Sequence, residues 1–309
     1  MWDSKSYTRR FSQSVQSGEY HQLRTLRVSV FLDTLDHIHS EQYLSQRGKT
    51  VLLPRDQRLT KESVLYTKKL EAGPTTPYET EVTVRNADCL AVAQEEKNNP
   101  LVLNMANANT PGGGVEGGSG AQEEHLFRSS NYLLSLYSFH DRLSKQYGIL
   151  RATQSYPLRE AYGAVYSPKA TVFRGREEDG YPLLDQPYKV SFIAVPAIYN
   201  PPLTQNPEGL YEMGEEDQAL TKEKIRTIFK VAIQHNHQTL ILSAMGCGAF
   251  CNPPNQIARL FREVLLEKPY RTAFSKIIFA IKDDHNTHKW YNPEGNYAPF
   301  AREFKDGLL

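Results

Sequence analysis

From residue 80 onward, short apolar runs alternate with stretches of helical periodicity, and this alternation restricts the folds open to the chain. Leu101–Met105 (LVLNM), Lys189–Pro196 (KVSFIAVP), Thr239–Ala244 (TLILSA) and Lys276–Ile281 (KIIFAI) read as strands buried on both faces. Glu81–Arg85 (EVTVR) alternates as a half-buried strand does, and Val165–Arg174 holds one or two more strands. Between them, helices are predicted over Leu90–Glu96, Glu123–Tyr137, Glu216–His235 and Asn255–Leu266. In the second of these, Leu126, Leu133, Leu134 and Tyr137 share one face. Strands interleaved with helices imply an α/β fold of layered type around a largely buried sheet. Such sheets bind ligands at the loops beyond the carboxyl ends of their strands.

The first 79 residues read differently. Tyr20 to Ser45 places Leu23, Leu26, Val30, Leu35, Ile38 and Leu44 at a spacing that predicts helix with breaks, and residues 48–70 are charged and weakly periodic. Gly73-Pro74-Thr75-Thr76-Pro77 is a linker or exposed turn by composition. The expected organisation is a mostly helical N-terminal extension over 1–79 and a catalytic domain over 80–309. Lys5, Tyr7, Arg9, Arg10 and Phe11 could touch a polyanion, but such an end is more often a frayed, solvated segment.

Bulk properties exclude several classes. Thirty-six Lys and Arg against 35 Asp and Glu leave no basic excess for nucleic-acid binding and no acidic tail. Met1 to Arg10 lacks the apolar core of a secretory signal, and no stretch approaches the ~20 apolar residues of a membrane span. Cys89, Cys247 and Cys251 form no disulfide framework, so a reducing, intracellular compartment is expected, cytoplasmic or nuclear.

The loop after Leu101–Met105 carries the chemistry. Gly112-Gly113-Gly114 is followed after seven residues by Gln122-Glu123-Glu124. Glycines let the backbone approach an anion closely, and their N–H groups favour phosphate oxygens. Gly112-x-Gly114-x-x-Gly117 formally fits a dinucleotide fingerprint, but the acid this needs on a second strand is missing. No Gly-Lys-Ser/Thr follows the loop, which removes a phosphate-loop NTPase. A flexible surface loop is the plain alternative. For Glu123 and Glu124 the plain alternative is a pair of acids in a first helical turn, a common dipole and capping feature. Cys247-x-x-x-Cys251 has metal-compatible spacing but lacks a nearby second pair, and Asp283, Asp284, His285 and His288, after the last strand, read more readily as a solvated turn than as a metal site.

Asn104-Met105-Ala106-Asn107, the triple glycine, the seven-residue spacer and Gln122-Glu123-Glu124 resemble the signature of poly(ADP-ribose) glycohydrolases of microbial type. A second block, Ala244-Met245-Gly246-Cys247-Gly248-Ala249-Phe250-Cys251-Asn252, is similar to the family's second phosphate loop; Val165–Pro168 and Ile193–Ala197 match more weakly. The resemblance covers roughly residues 80–309. It implies a macrodomain-like three-layer α/β/α fold with a mixed sheet. It also implies that Asp88 contacts adenine, that Asn107 touches the distal ribose, and that Gly112–Gly114 and Gly246–Ala249, with Cys247 and Gly248 between, grip a diphosphate. Phe250 would stack near ribose and adenine, with Gln122 and Asn252 as further substrate contacts. Glu124 would be the catalytic acid, with Glu123 positioning the ribose hydroxyls. Read from the residues alone, Asp88 could instead only cap the next helix and Phe250 could be a core residue.

Adjacent residues on a helix diverge by about 100°, so Glu123 and Glu124 should not straddle one bond as paired glycosidase carboxylates do. One acid used twice is simpler: Glu124 protonates the leaving oxygen, then deprotonates water. A neighbouring carboxylate and a diphosphate would raise its pKa, whereas a helix N-terminus would lower it. The resulting expectation is a hydrolase of ribose–ribose bonds in poly(ADP-ribose), acting as a monomer on the polymer or on ADP-ribosylated protein, with no metal, no cofactor, no membrane and no sequence-specific nucleic acid. The rivals are a hydrolase of single ADP-ribosyl groups and an ADP-ribose reader that does not cut.

Overall fold

The computed structural model describes residues 2–55, 57–96, 99–159, 161–283 and 287–308. Seven strands form one mixed sheet in the order Val64–Tyr66, Ala164–Arg174, Leu183–Val195, Leu101–Met105, Thr239–Leu242, Lys276–Ala280, Glu81–Arg85. Leu101–Met105 pairs parallel with Thr239–Leu242, which pairs parallel with Lys276–Ala280, which pairs parallel with Glu81–Arg85. The 175–182 connection between the two longest strands is too short for a parallel crossover, so these two neighbours pair antiparallel. The α/β class with a mixed sheet stands as the sequence implied.

The chain divides into two compact units. The first comprises 1–64, 109–157 and 167–192; the second comprises 65–108, 158–166 and 193–309.

In the first unit, helix α1 (Ser4–Ser17) starts at Asp3, whose side chain accepts the Ser6 N–H, and stops at Gly18 in the left-handed region. Helix α2 (Tyr20–Ser40) buries Leu23, Leu26, Arg27, Val30, Phe31, Thr34, Leu35 and Ile38, the three- and four-residue spacing of one helical face. Of the stretch expected to be helix with breaks, Tyr20–Ser40 is one unbroken helix, which gives way at Glu41 to a short hairpin, Gln42–Leu44 with Thr50–Leu52. The frayed N-terminus expected from composition is an ordered helix, although Lys5, Arg9 and Arg10 are exposed as expected. Tyr7 is buried, packs with Leu26, Val30 and Tyr181, and donates its hydroxyl to Glu177 Oε1 at 2.9 Å.

The helix expected over Glu123–Tyr137 is interrupted. It runs Gln122–Ser129 and resumes at Leu133–Leu136. Ser130 turns extended to bridge Val172, and Asn131 exchanges two hydrogen bonds with the Thr171 backbone, so strand pairing outcompetes local helix propensity at this point.

In the second unit, helices Glu215–Gln234 and Pro254–Leu265 match their predicted spans to within a residue at each end. The long helix buries Ile225, Ile228, Phe229 and Ala232, and the shorter one Ile257, Leu260, Phe261 and Val264.

Candidate active site

The acid loop lies wholly in the first unit. Gly112 donates its N–H to Glu123 Oε1 at 3.1 Å, and Gly114 donates to Glu124 Oε1 at 2.9 Å. Both glutamates sit in the first turn of the Gln122–Ser129 helix and reach back onto the loop that precedes it. The helix spacing implied divergent carboxylates; in the structure they converge. A Cβ placed on Gly113 would lie 2.5 Å from Glu124 Oε1 and 3.2 Å from Glu123 Oε2. The physical reason is that the donors at Gly112 and Gly114, on either side of Gly113, draw both flexible side chains to one place. Gly113 has φ of 54°, and with no side chain it leaves room for both acids.

Glu123 and Glu124 are both buried. Glu124 Oε1 is held by Gly114, while its Oε2 is buried with no hydrogen-bond partner. An unpaired buried carboxyl oxygen is costly unless a ligand completes it. Burial, together with the Glu123 charge, raises the phenol pKa of Tyr137 and of Tyr156 well above its usual value, so both stay neutral beside the acids. Gln122 opens the helix, partly buried.

The N–H groups of the triple glycine are all engaged within the protein, Gly113 with Thr110 O at 3.0 Å and the other two with the glutamates. The Gly246–Asn252 loop of the second unit is different. Among the described residues, the N–H groups of Gly246, Gly248, Ala249 and Phe250 have no protein acceptor, as an anion-binding loop requires. The loop is shaped from below. Asn252 is buried and its amide donates to Ile198 O at 2.7 Å, Phe250 O at 2.9 Å and Gly246 O at 3.3 Å. Tyr291 is buried and donates to Cys247 O at 3.1 Å and to Gly248 O. Cys247 is wholly buried, and burial pushes its thiol pKa well up, which leaves it inert; Ala249 is exposed. Phe250 is half-buried, not a core residue, and meets exposed Tyr199 edge-on at 5.2 Å. Asp88 caps the Cys89–Glu95 helix, its Oδ1 accepting from Leu90 and Ala91 N–H at 2.9 and 3.0 Å. Asn107 is partly buried in the segment after Leu101–Met105.

A family model described as the microbial-type PARG catalytic domain matches residues 32–175, a span that contains the acid loop and both glutamates. Over these residues the chain is similar to the microbial-type poly(ADP-ribose) glycohydrolases. Solved structures agree. The poly(ADP-ribose) glycohydrolase of Thermomonospora curvata, bound to the inhibitor ADP-HPD, is 27% identical with a TM-score of 0.69, over 91% of this chain and 100% of that one. The enzyme of Deinococcus radiodurans in complex with ADP-ribose is 28% identical with a TM-score of 0.60, over 84% of this chain and 100% of that one. No curated protein matched the chain.

The family's signature led to the acids but not to what surrounds them. Glu116, in the turn after the glycines, accepts from Tyr147 at 2.7 Å, Gln146 at 2.8 Å and Arg142 at 3.2 Å. Arg128, one turn beyond Glu124, is fully buried and donates to Ser119 O at 2.7 Å and to the Tyr181 hydroxyl at 2.8 Å. No local sequence signal marks these partners, since each pairing joins residues brought close only by the fold. Among the described residues, no group of three His, Cys, Asp or Glu could hold a metal ion, and no helix is long and apolar enough to cross a membrane. Asp284 and His285 lie outside the described residues.

Proposed function

We propose that this chain hydrolyses ribose–ribose O-glycosidic bonds in poly(ADP-ribose) and releases ADP-ribose, with Glu124 as the single proton-transfer residue. The observation that carries this reading is the asymmetric Glu124 carboxyl: one oxygen fixed by the Gly114 N–H, the other buried and unpartnered. The protonated carboxyl gives its proton to the leaving ribose oxygen as the bond to the anomeric carbon breaks. The oxocarbenium-like centre is then attacked by water, and the water proton returns to the same carboxylate. One water is consumed and the acid is regenerated. Glu123, pinned through Oε1 by Gly112, is the residue that positions the ribose hydroxyls in this reading.

The loop roles divide on hydrogen bonding. The first loop spends its amides on the acids, so we assign the diphosphate chiefly to the open amides of Gly246, Gly248, Ala249 and Phe250. Phe250 is placed to stack on the ligand, and Asp88 to meet the adenine while capping its helix. Asn252 acts by holding the second loop in shape.

The test is a substrate panel: labelled poly(ADP-ribose), mono-ADP-ribosylated protein and mono-ADP-ribosylated DNA. Free ADP-ribose from the polymer is expected. Release only from a mono-modified substrate, or tight ADP-ribose binding with no release, would overturn the assignment.

A further inference from the structure

The N-terminal helices hold an ion cluster that bears directly on the acid loop. Glu177 Oε1 accepts from Arg27 Nε at 2.8 Å and from the Tyr7 hydroxyl at 2.9 Å, and its Oε2 accepts from Arg27 Nη2 at 3.1 Å. The Arg27 guanidinium is packed against Gly120, so a side chain there would have to push it off its place, and at Gly118 a side chain would meet the Arg24 backbone carbonyl. Gly118 also has φ of 73°, so only glycine lets this part of the loop lie against the helix backbone. From the other side, Arg128 holds the Ser119 carbonyl and the Tyr181 hydroxyl, and the Tyr181 ring meets Tyr7 edge-on at 5.6 Å. The far end of the acid-bearing helix is fixed as well: Thr34 of α2 donates to Arg128 O at 2.7 Å and itself accepts from Arg174 Nε at 2.8 Å.

Placing two buried arginines and a carboxylate here is a poor way to gain stability, because burying charges costs about as much as pairing them returns. What such a cluster supplies is fixed geometry. Its contacts fall on residues 118–120 and on Arg128, the stretches that bracket Glu123 and Glu124.

We propose that Arg27 and Glu177 are positioning residues for turnover: their ion pair clamps the Ser119–Gly120 end of the acid loop between α2 and Arg128, and so keeps the Gly114 N–H on Glu124. The proposal rests on the reading of Glu124 as the acid. Neither residue touches the reacting atoms; both act through the loop. The N-terminal helices are thus part of the catalytic apparatus and not an appendage to it.

The test compares wild type, Glu177→Gln and Arg27→Lys. For each, kcat and KM on poly(ADP-ribose), Kd for ADP-ribose by calorimetry, and the thermal midpoint are measured, with kinetics run well below the lowest midpoint. The expected result is a kcat at least about 10-fold lower in folded variants, since misplacement by a fraction of an ångström is enough, with KM and Kd within about threefold of wild type. A purely structural role would lower the midpoint and leave kcat of the folded protein unchanged; that result overturns the proposal. If Glu177→Gln does not fold, Arg27→Lys, which keeps the charge, decides on the same criterion. If neither folds, the cluster is a fold determinant and the proposal is wrong. Wild type that releases nothing from the polymer brings down the activity reading itself, whereas active wild type with equally active variants removes only this proposal.

Discussion

Gly113→Ala places one methyl group at the point where both acids converge. The built Cβ lies 2.5 Å from Glu124 Oε1, and real Cβ atoms essentially never come within 3.0 Å of a neighbouring heavy atom. The Glu124 carboxylate must therefore retreat by roughly half an ångström or more, which takes its 2.9 Å bond from Gly114 beyond the ~3.2 Å limit of a sound N–H···O hydrogen bond. The left-handed backbone at this residue adds about 1–2 kcal/mol of destabilisation for any L side chain. The expected outcome is a folded, somewhat less stable protein whose kcat/KM on polymer drops about 10²-fold, or about 2.7 kcal/mol of lost transition-state stabilisation. Its Kd for ADP-ribose should stay within about fivefold, because the open amides of the second loop are untouched. Release of ADP-ribose from labelled polymer, calorimetry with free ADP-ribose and a thermal melt make the measurement. A folded variant with kcat/KM within threefold of wild type would refute the idea that the glycine loop sets the position of the acid.

Two further outcomes follow from the same geometry. Burial alone would raise the Glu177 pKa, but the hydrogen bond and charge of Arg27, with Arg128 and Tyr7, bring it from the usual 4.5 down to about 2. At about 1.4 kcal/mol per unit, this shift corresponds to about 3 kcal/mol of linked stability. That contribution is complete above about pH 4.5 and is lost as pH falls toward 2, so the gap in urea-unfolding free energy between wild type and Glu177→Gln should narrow across this window; a constant gap would contradict the pairing. Phe250→Ala should raise the Kd for ADP-ribose about tenfold, the scale of one lost aromatic stack, while leaving kcat at saturating polymer nearly unchanged; an unaltered Kd would remove Phe250 from the binding surface.

What the sequence disclosed and what it hid have a common physical origin. Glu81–Arg85 and Leu101–Met105 are strands at their predicted ends because each carries its own burial pattern in five residues. The break at Ser130-Asn131 was hidden because it is dictated by Thr171 and Val172, forty residues on. The acids were legible because glycines and glutamates are close in sequence, and only their convergence on Gly113 needed coordinates. The clamp behind them was not, because Arg27, Glu177 and Arg128 come from three distant segments. The sole trace of it in the sequence is the pair of glycines at 118 and 120, where a helix presses on the loop.

The central claim is that one carboxyl, Glu124, moves both protons. Single-turnover release of ADP-ribose from labelled poly(ADP-ribose) by wild type and Glu124→Gln, with ADP-ribose affinity measured in parallel, tests it most directly. The expected result is a fall of at least about 10²–10⁴-fold in the chemical step, the range of general acid–base catalysis, with affinity within a few-fold of wild type. A Glu124→Gln protein that binds ADP-ribose and still cuts the polymer at the wild-type rate would contradict it.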